Sequence, residues 1–344
     1  MLLLFLPHVS TLHALCLATS TPASSRPSSS QLINVIMAPS AVVDNETAEA
    51  VVVPQSANTA PYDGTQTPPA IEVASSLDTE PEMKELFGMK KTTTIVTGGA
   101  RGLGLTIAAA VLESGGDVYC CDILDKPSEP EWTSLLRKAK RYGGEAHYDV
   151  LDICDVEKTN ALFRSVAQRA RFPLKGLVHS AGTMHESLAL DYEMEPFRRI
   201  LKVNVEGTMI VAQATARIMK EHGLGGSIVL IASMSGSIAN RGLFLTAYNS
   251  SKSAVLQMCR SLAVEWGEYG IRVNTVSPGY VRTAMTNLLL QTQPEKLDRW
   301  ESDNPLHRIA LPHEIKGPAM YLLSPASSFV TGFDARVDGG HCAW

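Results

Sequence analysis

The chain has no C-x-x-C, and none of its six cysteines falls at a paired zinc spacing, so neither a dithiol motif nor a metal site is expected. The adjacent Cys120 and Cys121 lie in a strand-like run that sends their side chains to opposite faces. Buried free thiols in a reducing compartment are the expectation for such cysteines. Positive charge is not in excess either. A net charge of -5 and a pI near 6.0 argue against nucleic acid as the main partner. No apolar run is long enough to span a bilayer: Met1–Leu17 is apolar, but Pro7, His8 and His13 interrupt it. No Lys or Arg precedes that run, so the basic start of a signal peptide is missing. Residues 1–43 lack acidic residues and are Ser-rich, as transit peptides are, yet Arg26 is their only Arg. A weak targeting signal over 1–36 and a translation start at Met37 therefore stand as equal alternatives. The expectation is a cytoplasmic protein, with no membrane and no nucleic acid among its partners.

What is present is ordinary globular composition, 45% hydrophobic and 19% charged over 344 residues. Residues 38–82 are rich in Pro, Ala, Thr, Ser, Val and Glu without a sustained period. We expect a disordered arm over 1–83 and one catalytic domain over 84–344. Within the domain, strand-like runs at Thr92–Val96, Asp117–Cys121, Glu145–Tyr148, Gly176–Val178, Ser227–Ile231, Ile271–Val276 and Asp334–Val337 alternate with helical spacing. The helical stretches are Leu103–Leu112, Asp155–Arg169, Pro196–Glu221, Tyr248–Glu268 and Glu314–Leu323. Alternation of this kind predicts an α/β domain, a doubly wound parallel sheet covered on both faces.

The first strand runs into Thr97-Gly98-Gly99-Ala100-Arg101-Gly102-Leu103-Gly104. A strand, a Gly-x-x-x-Gly-x-Gly turn and a helix are the context of a dinucleotide site. Gly98 permits the tight turn, Gly102 lets the backbone approach a pyrophosphate, and Gly104 allows close helix–strand packing. Phosphate oxygens would meet the helix start near Leu103. A Gly-rich loop without a ligand is the plainer alternative. Asp122, at the end of the next strand, weighs against it, since a carboxylate there can accept both ribose hydroxyls of NAD and repel a 2′-phosphate. Arg101 points towards NADP, because an Arg in the turn can meet that phosphate. NAD is favoured, with NADP as the alternative.

Tyr248 and Lys252 stand four residues apart, on one face of a helix. Free tyrosine has a pKa of about 10, and lowering it by two to three units requires roughly 3–4 kcal/mol. One ammonium at about 4 Å supplies on the order of 4 kcal/mol at an effective dielectric near 20. Lys252 is thus sufficient to make Tyr248 a proton donor and acceptor. Taken alone, the ring could be an amphipathic helix start and the lysine a solvated surface charge. Two further segments change the balance. Gly226–Gly236 is a buried strand ending in the hydroxyls of Ser233 and Ser235, and Val203-Asn204-Val205 buries an amide inside an apolar helical stretch. Asn204 either kinks the helix around a water or belongs to a proton relay.

By these residues the chain resembles the short-chain dehydrogenase/reductase family over about residues 84–344. The resemblance implies a catalytic tetrad of Asn204, Ser233, Tyr248 and Lys252. Tyr248 would be the acid/base, Lys252 would lower its pKa and hold the ribose, and Ser233 would orient the substrate oxygen. Asn204 would hold a water linking Lys252 to solvent. It further implies adenine contacts at Asp149 and Val150, and cofactor contacts at Ala181, Pro278, Val281 and Thr283. Homo-oligomers, dimers or tetramers, are implied as well. Two departures stand out. The family's Asn-Ala-Gly turn is Ser180-Ala181-Gly182, preceded by His179, so the bonds bracing the sheet are expected to differ. Ser233 lies fifteen residues before Tyr248, and Ser235 has the family's commoner spacing. Ala232–Gly236, Leu262–Trp266 and Val337–Trp344 are nevertheless similar to the fungal polyol/ketose branch, in which the first serine acts.

Three functions follow as expectations. The leading one is an NAD(P)-dependent oxidoreductase acting on a small-molecule polyol/ketose pair. The second is a reductase of a secondary-metabolite ketone, for which Leu288-Leu289-Leu290 and Leu306 would offer an apolar lid. The third is a catalytically silent dinucleotide sensor, which has no need of the Tyr248/Lys252 pair.

Overall fold

The computed structural model describes residues 80–344, so the expected arm, up to residue 79, and the Met37 start lie outside the described residues. Seven strands form one parallel sheet in the order β3-β2-β1-β4-β5-β6-β7. They are β1 (Thr93–Thr97), β2 (Asp117–Asp122), β3 (Ala146–Val150), β4 (Leu174–His179), β5 (Gly226–Ile231), β6 (Ile271–Pro278) and β7 (Asp334–Val337). The helices are α1 (Met83–Leu86), α2 (Gly102–Glu113), α3 (Glu131–Tyr142), α4 (Val156–Arg169), α5 (Met194–Leu201), α6 (Gly207–His222), α7 (Thr246–Trp266), α8 (Ala284–Thr292), α9 (Glu295–Ser302) and α10 (Lys316–Leu323). Among the described residues no helix is long and apolar enough to cross a membrane.

Period-2 alternation in buried strands feeds two cores. Ile95, Cys121, Leu177, Ile228, Leu230 and Val273 pack under α4, α6 and α7. Val96, Val118, Cys120, Val178, Val229 and Val276 pack under α2, α3 and α10. The two adjacent cysteines thus fall in opposite cores as free thiols, and burial pushes Cys120 up to about 12. Every strand named in the sequence is present, with ends displaced by a few residues.

The helical pattern over Pro196–Glu221 is not one helix. α5 gives way to a π turn, Lys202–Glu206, before α6 begins. The wider turn rotates Asn204 out of the α-helical register and towards the end of β4, a use typical of such turns at functional sites. α1, α3, α8 and α9 add to the sequence-based assignment, and α1 begins at Met83, the last residue of the expected arm. α3 is missed although Trp132, Leu135, Leu136 and Ala139 recur at helical spacing, with Leu135 and Ala139 buried in the core and Trp132 packed against it.

The chain reverses strand order between β1 and β4. Ligands of doubly wound sheets sit outside the carboxyl ends of the strands at such a switch. Gly98 follows β1, Asp122 ends β2, Gly182 follows β4, Ser233 follows β5 and Pro278 ends β6, so all five meet that edge.

Candidate active site

The turn after β1 is shaped for close backbone approach. Gly98 has φ +67, and a Cβ there would lie 2.6 Å from the Ala181 nitrogen, so the turn packs directly on the segment after β4. Gly102 has φ +60, with nothing within 4 Å of a Cβ. Its outer face is open to a ligand, at the first turn of α2, where backbone N–H groups lack helical partners. Gly104 behaves differently from the sequence expectation. A Cβ there would fall 2.1 Å from the Gly98 carbonyl oxygen, so it permits packing of the turn on itself rather than of helix on strand. Arg101 is exposed at the N-cap of α2, and Leu103 is half-buried behind it.

Asp122 is held by two backbone donors. Its Oδ2 accepts from Ala100 N–H at 3.2 Å and its Oδ1 from Leu124 N–H at 3.3 Å. The Asp149 carboxylate is taken up by Arg169 at 2.5 Å, which leaves its backbone and the exposed Val150 at the edge of the crevice. Val281 is buried and bridges Ala310 in parallel, while Thr283 accepts the Thr286 N–H at 3.3 Å and so starts α8. These residues fit a dinucleotide: an open glycine cradle at a helix start, a fixed carboxylate one strand away, and a fixed segment after β6.

Across the crevice α7 carries Tyr248 and Lys252. Lys252 is 6% exposed, and its Nζ donates to the Ile231 carbonyl at the end of β5 at 2.9 Å. Burial brings its pKa down to about 8. Nζ stands 5.7 Å from the centre of the Tyr248 ring. Burial holds the Tyr248 pKa above its ordinary value, outweighing the nearby Ser233 hydroxyl, which favours the ionised form. Sequence arithmetic expected the ammonium to lower it. The difference is one of direction, since Lys252 is tied to β5 and desolvation dominates at Tyr248.

Ser233 and Ser235 are now distinguishable. Ser233 Oγ accepts the Ser235 N–H at 3.1 Å and faces Tyr248, whereas Ser235 is buried behind it. Gly236 has no room for a Cβ, which would lie 2.9 Å from the Lys252 carbonyl, so this loop sits directly on the first turns of α7.

Asn204 is 1% exposed and fully engaged. Its Oδ1 accepts from Thr183 N–H at 2.8 Å, and its Nδ2 donates to the Thr183 carbonyl at 2.9 Å and to Ser251 Oγ at 3.0 Å. Ser251 Oγ donates in turn to the Tyr248 carbonyl at 2.7 Å. A Cβ on Gly182 would lie 3.3 Å from Asn204 Oδ1 and 3.7 Å from Lys252 Nζ, so both groups converge beside that exposed glycine. Sequence reasoning missed Thr183 and Ser251. Ser251 had a signal, lying between Tyr248 and Lys252 on the buried side of the same helix.

His179, at the end of β4, is 2% exposed and lies between Thr97 Oγ1 at 2.7 Å and Thr208 Oγ1 at 2.9 Å. Burial, helped by the Lys252 charge, lowers its pKa to about 3. The unfolded chain takes up a proton below about 6.5 that the folded protein refuses. Stability from this group is therefore complete above that pH and is lost as pH falls towards 3, at up to about 1.4 kcal/mol per pH unit. Denaturant titrations from pH 7 to 4 should give a shallower loss for His179→Asn than for the unaltered protein. Equal slopes would mean that His179 does not resist protonation.

This arrangement is that of an oxidoreductase on a dinucleotide-binding fold, and comparisons with known proteins agree. A family model described as enoyl-(acyl carrier protein) reductase matches residues 98–341. The short chain dehydrogenase/reductase notP′ of Aspergillus versicolor is 42% identical over 76% of this chain and 91% of its own length. A ribulose-forming D-arabinitol 2-dehydrogenase of Candida tropicalis is 35% identical over 75% of this chain and 95% of its own. The crystal structure of an NADPH-dependent 3-quinuclidinone reductase from Rhodotorula rubra superposes with a TM-score of 0.70 at 31% identity, covering 83% of this chain and all of that one. The chain belongs to the short-chain dehydrogenase/reductase family, and its similarity extends to the fungal polyol branch.

Proposed function

We propose that this protein oxidises a secondary hydroxyl of a polyol with NAD⁺ and reduces the matching ketose in the reverse direction. The observation that carries this reading is the placing of Ser233 and Tyr248 beside the buried Lys252, at the edge where the glycine turn opens. The ribulose-forming relative supports the substrate class.

Gly98, Arg101, Gly102, Leu103 and Gly104 would hold the pyrophosphate, and Asp122 the adenine ribose. The backbone of Asp149 with Val150 would border the adenine. Ala181, Asn204, Pro278, Val281 and Thr283 would border the nicotinamide end. The nicotinamide supplies or takes up the hydride. Tyr248 gives the substrate oxygen its proton or removes it. Ser233 Oγ accepts the Ser235 N–H, so its single proton is available to Tyr248 or to the substrate oxygen. Lys252 opposes the cost of a phenolate by its charge and reaches the ribose hydroxyls. Asn204 holds the neighbouring backbone in place for both.

Ser233→Ala should lower turnover by roughly 10²-fold, the usual cost of one donor to a developing oxyanion, while Ser235→Ala stays close to the unaltered protein. A larger loss at Ser235 would reverse the assignment. For the cofactor, Asp122→Ala should cut the preference for NAD over NADP by roughly 5- to 50-fold, through loss of a carboxylate that repels a 2′-phosphate. A protein that already prefers NADPH by about tenfold would contradict the NAD reading.

A second reading has one observation in its favour. Leu306, in the segment after α9, is 62% exposed beside the Tyr280 and Ala310 cleft. That surface would suit an apolar ketone. Rates on polyols and on apolar ketones, measured side by side, separate the two readings. Assembly as a dimer or tetramer is part of the proposal, and light scattering tests it.

A further inference from the structure

His179 takes no part in the proton transfer proposed above, yet its hydrogen bonds run from the sheet to Asn204. Their directions follow from counting protons. Thr208 Oγ1 lies 2.6 Å from the Asn204 carbonyl, and a carbonyl only accepts, so the single Thr208 proton is committed there. Thr208 must then accept at its other contact, from His179 Nε2–H. His179 Nδ1 is left as an acceptor and receives the Thr97 hydroxyl proton. One tautomer satisfies all three groups. A doubly protonated ring would face Thr97 with a second donor and would be repelled by Lys252.

The chain of bonds ends at the π turn. The Thr208 hydroxyl holds the Asn204 carbonyl four residues back, where the helix widens. The Asn204 carboxamide is fixed by Thr183 and by Ser251, which also bonds the Tyr248 carbonyl. We propose that His179 and Thr208 form a positioning pair that locks the π turn and so aligns Asn204 with Lys252 and Tyr248. The proposal rests on the assignment of Tyr248 and Lys252 as the acid–base pair. In this chain the histidine does a bracing job for which the turn after β4, Ser180-Ala181-Gly182, has no asparagine.

Two measurements test it. Long-range ¹H–¹⁵N NMR on the folded, unaltered protein at neutral pH should find His179 protonated at Nε2 and bare at Nδ1. That arm needs no turnover, so it is independent of whether the substrate is a polyol. Kinetics on any substrate the unaltered enzyme turns over form the second arm. Thr208→Val keeps the shape of the side chain and removes its hydroxyl. It should lower kcat by roughly tenfold, as expected for a lost buried hydrogen bond acting only through geometry. Substrate KM and dinucleotide Kd should change little, and Thr208→Ser should restore most of kcat. His179→Leu should cost kcat similarly, and the double variant should be no worse than either single one. An Nδ1–H tautomer, an unchanged kcat in Thr208→Val, or failure of Thr208→Ser to restore it would overturn the proposal. Should His179→Leu fail to fold, the tautomer and the Thr208 pair of variants still decide.

Discussion

Tyr248→Phe should reduce turnover by at least roughly 10²–10⁴-fold, the usual cost of a missing general acid/base, while the protein still folds and binds dinucleotide. The substitution keeps the ring and removes one hydroxyl, which lies near Ser233. The glycine turn and Asp122 lie across the crevice and are untouched, so a dinucleotide Kd near that of the unaltered protein is expected. Because burial holds the Tyr248 phenol above its ordinary value, the free enzyme keeps it protonated at neutral pH, poised as the acid for ketone reduction. Rapid alcohol oxidation needs the ionised form, which requires the positive charge of Lys252 in place. Oxidation should therefore rise with pH, and reduction should be favoured at lower pH. Retention of more than about a tenth of the turnover by Tyr248→Phe on a genuine substrate would sink the mechanism.

Lys252→Met should make the enzyme far less active and, at neutral pH, more stable. Loss of the charge removes support for the phenolate, for which a fall of roughly 10²-fold or more in turnover is expected, together with weaker dinucleotide binding through loss of the ribose contact proposed for Lys252. The stability change has the opposite sign. Burial lowers the folded-state pKa of Lys252 to about 8, from 10.5 for a free lysine. Below pH 8 the buried ammonium is carried at full cost. Between about 8 and 10.5 the folded protein sheds its proton before the unfolded chain does, so the unaltered protein gains stability as pH rises. A methionine of similar length carries no such cost. The variant should exceed the unaltered protein by up to about 2–3 kcal/mol at pH 7, and the gap should close by pH 10.5. Denaturant midpoints at the two pH values check this. A variant that is less stable at both would mean that Lys252 is not buried as a charge.

Strand positions were legible chiefly where a strand is a short β-branched or apolar run ended by a glycine or polar turn, less so at β3 and β7, which carry polar side chains. Thr92–Val96 before Gly98 and Ile271–Val276 before Pro278 are examples. α3 was legible but missed: Trp132, Leu135, Leu136 and Ala139 recur at helical spacing. The π turn was not legible. Val203-Asn204-Val205 looks helical from either side, and the groups that bond Asn204 there, the Thr183 backbone, Ser251 Oγ and the Thr208 hydroxyl, are brought to it by the fold. Tyr248, Lys252 and the glycine turn could be picked out because their proposed chemistry depends on residue type and spacing, whereas Ser233 rests on the resemblance to the polyol branch, against the commoner spacing of Ser235. The electrostatics could not be read this way. Charge pairing can be estimated from spacing, but the desolvation that raises Tyr248 and lowers Lys252 depends on what the fold packs over them. His179 was noticed as a departure, and its two threonine partners come from β1 and α6, far from it in sequence.

The central claim is hydride transfer between a nicotinamide dinucleotide and a polyol/ketose pair. It is tested most directly by kcat/KM values for pentitols and hexitols with NAD⁺ and NADP⁺, and for their ketoses and a set of apolar ketones with NADH and NADPH. The account predicts that a polyol/ketose pair gives the highest values, with NAD(H) preferred. Tight NADH binding without turnover of any of these compounds, or turnover confined to the apolar ketones, would contradict it.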